Sequence, residues 1–442
     1  MKLPVPAPQI GELLQKLAPD VGGVLGSWVG PEVDGVYDHW DHVRHLPPPA
    51  GLTPETWWLA LKLARATIAR ELPLVDKAQK PFRISVTDSM QRHLHRIDRE
   101  AAGAIAGMEQ SRDGQRKFLI RSLIEEAMTS SQLEGASTTR AVAKEMLATG
   151  REPRDHSEQM IYNNYQTMRE LNTWRDQPFT PEAIISIHSL LTSETLESEE
   201  HSGRLRTAED NVVIYDRASP PTVLHVPPPA AELPERLRRL CDFANATEGD
   251  GFLHPVVRAI AIHFQIGYDH PFCDGNGRAA RMLFYWSMLR SGYWLTEYLS
   301  ISSVLKKAPA QYIRAYLYTE SDGSDLSYFV AHQLDVIEKS IDGLHAYIVR
   351  KSAENRRAQK LLRPASHLGE KLNHRQRALL VNAIHDPDRR YTIASHRAAH
   401  RITYPTALND LNGLAGLELL ERNKVGKAYV YSPVRDLAKR IE

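Results

Sequence analysis

For most of the chain, apolar and polar positions alternate with the period of a helix rather than a strand. Apolar residues recur every three to four positions through 88–110, 114–134, 139–148, 158–175, 181–193, 231–245, 255–268, 277–291 and 325–350. That spacing gathers them into one stripe on a 3.6-residue repeat, so these segments predict helices. The period breaks between 203 and 229. There, Asn211-Val212-Val213-Ile214-Tyr215 and Thr222-Val223-Leu224-His225-Val226 flank a turn containing Pro220 and Pro221, which predicts a small β-hairpin. Residues 1–85 open with a Pro-rich, Trp-rich stretch (Trp40, Trp57, Trp58) followed by a helix through 59–66, and form an N-terminal accessory region.

Beyond 350 the character changes. Residues 351–368 are polar and charged and predict a linker or an exposed helix end. Within 369–442, helices are expected at 375–385, near 395–400 and at 404–414, with two strand-like runs at 417–421 and 428–432. Helices followed by a basic two-stranded ribbon resemble a winged helix-turn-helix. The stretch from 370 onward holds thirteen Lys and Arg against eight Asp and Glu, whereas the whole chain carries a net charge of +1. The local excess favours a phosphate-facing surface, and DNA is carried as a candidate partner of this region alone. Near-neutral overall charge argues against a globally basic nucleic-acid binder. The two cysteines, Cys241 and Cys273, have no spacing pattern and imply a reducing, cytoplasmic setting. No stretch approaches the eighteen or so apolar residues of a membrane span.

Candidate chemistry concentrates at residues 270–281, His270-Pro271-Phe272-Cys273-Asp274-Gly275-Asn276-Gly277-Arg278-Ala279-Ala280-Arg281. A potential base and a carboxylate precede a glycine turn that opens an apolar helix. The first turn of a helix offers unpaired N–H groups and the positive end of its dipole, so anions bind there. Gly275 and Gly277 let backbone approach such a ligand closely. Arg278 and Arg281, three apart, are expected on one face. No Gly-Lys-Ser/Thr follows the glycines, which excludes a Walker loop, and acidic ligands do not alternate as an EF-hand needs. The combination predicts a phosphate-handling active site.

The segment resembles the signature of Fic domain proteins, His-x-Phe-x-Asp/Glu-Gly-Asn-Gly-Arg-x-x-Arg, with every defining position filled. The resemblance implies an all-α Fic core with a hairpin flap, and transfer of AMP from ATP to a hydroxyl side chain of a target protein. It implies His270 as general base, Phe272 as loop anchor, and Asp274 as the ligand of Mg2+. It further implies Gly275, Asn276 and Gly277 as the phosphate cradle, and Arg278 and Arg281 as clamps on the outer phosphates. Tyr312, in the region 302–325, is the candidate for the adenine side, a core role being the alternative. The flap, 203–229, would dock the Ser, Thr or Tyr of the target as an added strand. Asp269 is expected to face solvent, and Cys273, at a variable position, is not expected to be catalytic.

Upstream, Ser130 and Glu134 are four apart and share a helical face that Gly135 would end. With the signature in place, they resemble the family's inhibitory motif, Ser/Thr-x-x-x-Glu-Gly/Asn, on a helix spanning about 120–135. Glu134 would then pair with Arg281 where the ATP γ-phosphate needs to sit, because a carboxylate offers a guanidinium the same planar acceptor face. The alternatives left open are a DNA-binding regulator or toxin–antitoxin-type component that uses the core as a nucleotide sensor, and, within enzymes, removal of AMP or transfer of UMP or phosphocholine. A homodimer is compatible with the resemblance, and no membrane partner is expected.

Overall fold

The computed structural model describes residues 2–17, 29–102, 112–216, 220–246, 251–361, 370–385, 389–425, 428–435 and 437–441. The chain separates into two compact units, Met1–Leu344 and His345–Glu442. The division expected near 350 therefore falls a few residues earlier, and 351–361 continue a helix, the second of the two readings of that stretch. Residues 362–368 of the expected linker lie outside the described residues.

Among the described residues, the first unit begins with α1 (Ile10–Lys16), α2 (Trp40–Val43) and α3 (Pro54–Ile68). The Trp-rich opening is a core of its own: Trp40, Val43, Trp57, Trp58 and Leu61 are buried together. Then β1 (Ala69–Val75) and β2 (Pro81–Ser85) pair antiparallel, a hairpin that the apolar period did not signal. Pro73 argues against a central strand, but a two-stranded sheet is all edge and tolerates it.

Helices α4 (Asp88–Ile97), α5 (Arg112–Leu133), α6 (Arg140–Thr149), α7 (His156–Trp174) and α8 (Pro181–Thr192) follow. The last four lie close to their predicted positions, whereas α4 gives way at Asp98 to a π-helical turn ending at Ala102, and 103–110 of the expected helix lie outside the described residues. Their starts are encoded locally. The side chains of Thr139, Asp155 and Thr180 accept backbone N–H bonds of α6, α7 and α8, and Pro181 occupies the first turn, where no N–H is needed. Each such cap stabilises by about 1 kcal/mol. The flap strands are short, β3 (Ile214–Tyr215) and β4 (Val223–His225), paired antiparallel.

After α9 (Leu233–Asn245) come the two helices that carry the site, α10 (Pro255–Asp269) and α11 (Asn276–Arg290). Both are buried on nearly every side, polar residues included. Val256, Ile260, Ile262, Phe264, Ala279, Ala280, Leu283 and Trp286 are wholly buried, and Trp286 stacks on Phe179 with centroids 3.9 Å apart. The unit closes with α12 (Ile301–Leu305), α13 (Pro309–Ser321) and the start of α14 (Ser327–Leu361).

In the second unit, α15 (His374–His385), β5 (Tyr391–Thr392), α16 (Ile393–His400) and α17 (Tyr404–Gly416) lead to a hairpin of β6 (Leu420–Val425) and β7 (Ala428–Pro433), then α18 (Leu437–Arg440). The sheet order is β5-β7-β6. The first hairpin strand starts three residues later than expected. Helix α17 runs on to Gly416, and Glu418 then turns the chain at φ +55°. Asp410 is buried and takes hydrogen bonds from Arg375, Asn373 and His396, which pins α15 and α16 to α17. Burial pushes its carboxyl up, but these donors hold it down at about 2.

Candidate active site

Residues 270–275 join the C-terminus of α10 to the N-terminus of α11, so the two helices aim opposite dipole ends at one short turn. His270 ends α10 in the left-handed region, φ 45° and ψ 59°. Phe272 is wholly buried and stacks on the His188 ring, with centroids 3.7 Å apart. His188 in turn receives the Gly203 N–H on Nδ1 and donates from Nε2 to the Asp274 carbonyl at 2.9 Å. Asn276 grips the same loop. Its Oδ1 accepts from Phe272 N and its Nδ2 donates to the Phe272 carbonyl. Its amide therefore shapes the turn, whereas the sequence placed it on the phosphates. Gly275, at φ +79°, lies so close to Thr192 that a Cβ would come 2.7 Å from Cγ2.

His270, the candidate base, is oriented by the helix end. Nδ1 of His270 faces the Gly267 carbonyl at 3.0 Å, so Nδ1 carries the proton and Nε2 is left with its lone pair. Burial brings the ring's pKa down to about 4, against the opposing pull of the Gly267 hydrogen bond. At neutral pH the ring is therefore uncharged. Asp269 does not face solvent. It is buried, pairs with Arg236 at 3.0 Å, and burial raises its pKa to about 6 despite that pairing.

The two arginines of α11 part company. Arg278 turns away from the cavity: Nη1 donates to the Leu191 carbonyl at 3.0 Å, and Nη2 stands 3.4 Å from the Asp274 carboxylate. Residues 278 and 281 subtend about 300° on a helix, but the long side chains leave in different directions, so the expected shared clamp is not formed. Arg281 alone faces the cavity. Its Nε donates to Ser130 Oγ at 2.9 Å, and Nη2 to the Ser130 carbonyl at 3.0 Å and to Glu134 Oε1 at 2.7 Å.

Helix α5 ends at Leu133, Glu134 tightens into a last turn against the Ser131 carbonyl, and Gly135 leaves at φ +110°. That exit lays the Glu134 carboxylate over the first turn of α11: a Cβ on Gly277 would stand 2.1 Å from Glu134 Oε1. Burial pushes the Glu134 carboxyl up, but the ion pair and hydrogen bond with Arg281 outweigh it and hold the group below its usual value. Arg281 responds in the opposite direction. Burial disfavours its charge, while Glu134 restores and raises its pKa.

Beside this pair lies a cavity of about 760 Å³. Its walls bring together His270, Asp274, Asn276, Gly277, Arg281, Glu134 and Tyr312, residues spread over nearly two hundred positions of sequence. Gly275, Arg278 and Ser130 are buried and do not line it, and Gly135 is exposed and does not line it either. The Asp274 side chain is largely exposed, and its carboxylate makes a long contact to Arg278 at 3.4 Å. Tyr312 lines the cavity, but its hydroxyl meets His263 Nε2 at 2.8 Å. Flap residues Ile214, Tyr215 and His225 form the opposite rim, together with Lys306 and Gln132, which hydrogen-bond to each other.

Several residues at the site carry no signal in the sequence. His188, Glu126 and Arg206 are single polar residues in segments where helical period or turn chemistry dominates, and their partners lie tens to hundreds of residues away. Glu126 is buried on α5 and accepts bonds from Ser300 and from the N–H and hydroxyl of Ser302, so it caps α12 and fixes the helix that bears Glu134. Burial raises its pKa.

Residues 178–288 match the model of the Fic/DOC family. Among curated proteins, the chain is 32% identical over 118 residues to protein adenylyltransferase Fic of Drosophila willistoni, covering 27% of this chain and 22% of that one. It is 28% identical over 161 residues to protein adenylyltransferase Fic of Nematostella vectensis, covering 36% of this chain and 34% of that one. The chain thus matches between 22% and 34% of the length of these relatives. Among solved structures, it is similar to Fic-1 (aa134 - 508) from C. elegans, with a TM-score of 0.49 and 18% identity over 78% of this chain and 90% of that one. It is also similar to a Fic family protein from Desulfovibrio desulfuricans G20, with a TM-score of 0.48 and 18% identity over 78% and 95%.

Proposed function

We propose that this chain, which carries a Fic domain, is a protein adenylyltransferase held in check by Glu134. One observation carries the proposal: a neutral histidine with a free Nε2 stands at the mouth of a cavity whose far wall is a helix N-terminus and a buried arginine. The curated relatives, which are protein adenylyltransferases, support the same chemistry.

The residues divide the reaction as follows. His270 Nε2 accepts the proton of the target hydroxyl as that oxygen attacks the α-phosphorus of ATP. The new P–O bond forms as the bond to pyrophosphate breaks, and the protein is left carrying AMP. Arg281 and the N–H groups of the first turn of α11, at Gly277, stabilise the phosphate charge. Phe272, His188 and Asn276 keep the turn rigid. Asp274 suits Mg2+, because its exposed carboxylate faces the cavity and Mg2+ prefers one or two carboxylates plus phosphate oxygens. When bound, the ion would neutralise phosphate oxygens. Glu134 occupies the ground the outer phosphate needs, so the resting protein is inhibited from its own N-terminal side.

The test is incubation of the Glu134→Gly chain with a cell lysate and ATP labelled at either the α- or the γ-phosphate. Label is expected on protein from α-labelled ATP only, and not with His270→Ala. Label from the γ-position, or none from any nucleotide, overturns the proposal, and equal labelling by the unsubstituted chain removes the inhibitory role of Glu134.

The second unit supports a smaller proposal, that its hairpin and helix pair contact duplex DNA as a winged helix-turn-helix does. Arg397, Arg401, Arg422 and Lys424 are exposed, and Tyr429 is exposed beside Arg422 on the hairpin. A salt-dependent shift of duplex DNA by the full chain, lost on Arg422→Ala with Lys424→Ala, is expected. No shift at low salt sinks it.

A further inference from the structure

The last carbonyls of a helix have no partner within it, and buried ones must find another. For α10 the search ends in the flap. Ile266 and Gly267 are satisfied by the N–H and the ring Nδ1 of His270 itself. The next four carbonyls in succession are met by two residues from outside the helix. Tyr268 accepts from His225 Nε2 at 2.7 Å, Asp269 from Arg206 Nη2 at 3.2 Å, His270 from Arg206 Nε at 2.7 Å, and Pro271 from the Arg206 N–H at 2.9 Å. Arg206 enters the flap before β3, and His225 closes β4. Arg206 Nη2 also donates to Pro228 at 2.6 Å, so one guanidinium ties both stems of the hairpin to the catalytic turn.

This arginine is not placed there for an ion pair. It is 7% exposed, and no carboxylate lies within salt-bridge distance of it among the described residues. Its donors go to backbone carbonyls at the negative end of the α10 dipole, where a cation is favoured. The residue they fix is the one that most needs fixing. His270 is a non-glycine residue at φ 45°, a conformation that persists only where its surroundings over-determine it.

We propose that Arg206 is a positioning residue for the transfer reaction: it holds the turn so that His270 keeps Nδ1–H on Gly267 and presents Nε2 to the cavity, and it makes the stems of the flap part of that geometry. The proposal rests on His270 acting as the base. Arg206 touches neither nucleotide nor target. Its effect reaches the chemistry through the backbone of residues 269–271.

The experiment uses the full chain with Glu134→Gly, alone and with Arg206→Gln or Arg206→Lys. With Gln, kcat is expected to fall about 10²-fold, the scale of a misplacement of about 1 Å, while the KM for ATP stays within about threefold. With Lys, part of the loss returns, since an ammonium can keep one or two of the carbonyl contacts. A readout that needs no substrate accompanies this, the 15N spectrum of the His270 ring. It is expected to show the Nδ1–H tautomer in the parent and a mixture with Arg206→Gln. An unchanged kcat, an unchanged tautomer, or loss of folding with both substitutions overturns the proposal. If the Glu134→Gly parent transfers nothing from any nucleotide, the adenylyltransferase proposal fails, and the ring spectrum alone decides whether Arg206 sets His270.

Discussion

On one side of the catalytic turn, helix α10 ends against the flap residues Arg206 and His225; on the other, helix α11 begins against Glu134. Both are helix ends with unsatisfied backbone groups, and each is met by the charge its dipole favours. They differ in what could replace the partner. The carbonyls of 268–271 are met by buried donors that no small molecule in the cavity supplies. The first turn of α11 and Arg281 are met by a carboxylate, and a phosphate presents the same acceptor face. One end is thus a fixed frame, the other an exchangeable stopper, and the base sits between them.

The largest break in this comparison is at its centre. In the Glu134→Gly background, His270→Ala should lower transfer by about 10³-fold, within the range for a lost general base, while ATP affinity measured by calorimetry changes little. Loss of ATP binding instead would make His270 part of the frame rather than the chemistry. Next comes the stopper itself. Glu134→Gly should raise transfer by roughly 10²-fold, because a charge-assisted hydrogen bond contributes about 1.5–3 kcal/mol and each 1.4 kcal/mol is tenfold. Comparison of ATP affinity before and after the substitution checks this, and equal affinities would show that the carboxylate does not compete with phosphate.

The arginines of α11 sharpen the same contrast at smaller scale. Arg281→Gln in the released background should weaken ATP by about tenfold or more, since it removes a charged donor from the cavity wall. Arg278→Gln should leave ATP affinity within a few-fold and instead cost about 1–3 kcal/mol of stability, read from thermal or denaturant unfolding, because its guanidinium braces Leu191 from behind the wall. If both substitutions weaken ATP equally, the two arginines form the joint clamp that the resemblance implied.

That last point marks how far the sequence could be read. The helices were legible because apolar period and caps are local, and α5 to α11 lie close to where the pattern put them. The turn stood out as a candidate for phosphate chemistry because a histidine, a carboxylate, glycines and arginines sit within twelve residues. What spacing could not supply was direction. It could not say that Arg278 points behind the wall, that Asn276 binds its own loop, or that Asp269 is buried against Arg236. Nor could it announce Arg206 or His188, whose roles exist only once distant segments meet. The pairing of Glu134 with Arg281 was reached through resemblance, and the 2.7 Å contact gives it a geometry.

The smallest expected effect is an absence of pH dependence where a histidine base would ordinarily produce one. An unperturbed imidazole gains its proton near pH 6.5, and the rate would fall below that. Here burial brings His270 down to about 4, so its base form should persist, and kcat of the Glu134→Gly chain should be flat from about pH 5.5 to 8. The groups acting on the ring can be placed in sign. The Gly267 hydrogen bond and the Glu134 carboxylate favour imidazolium and raise the pKa; His225 and Arg206 oppose it. Removing Glu134 therefore lowers the pKa further, and the acid limb of the released enzyme should lie below that of the residual activity of the parent chain. A limb near 6.5 in the released enzyme would mean that water reaches the ring once the stopper is gone, and that the frame on the α10 side does not by itself keep the base dry.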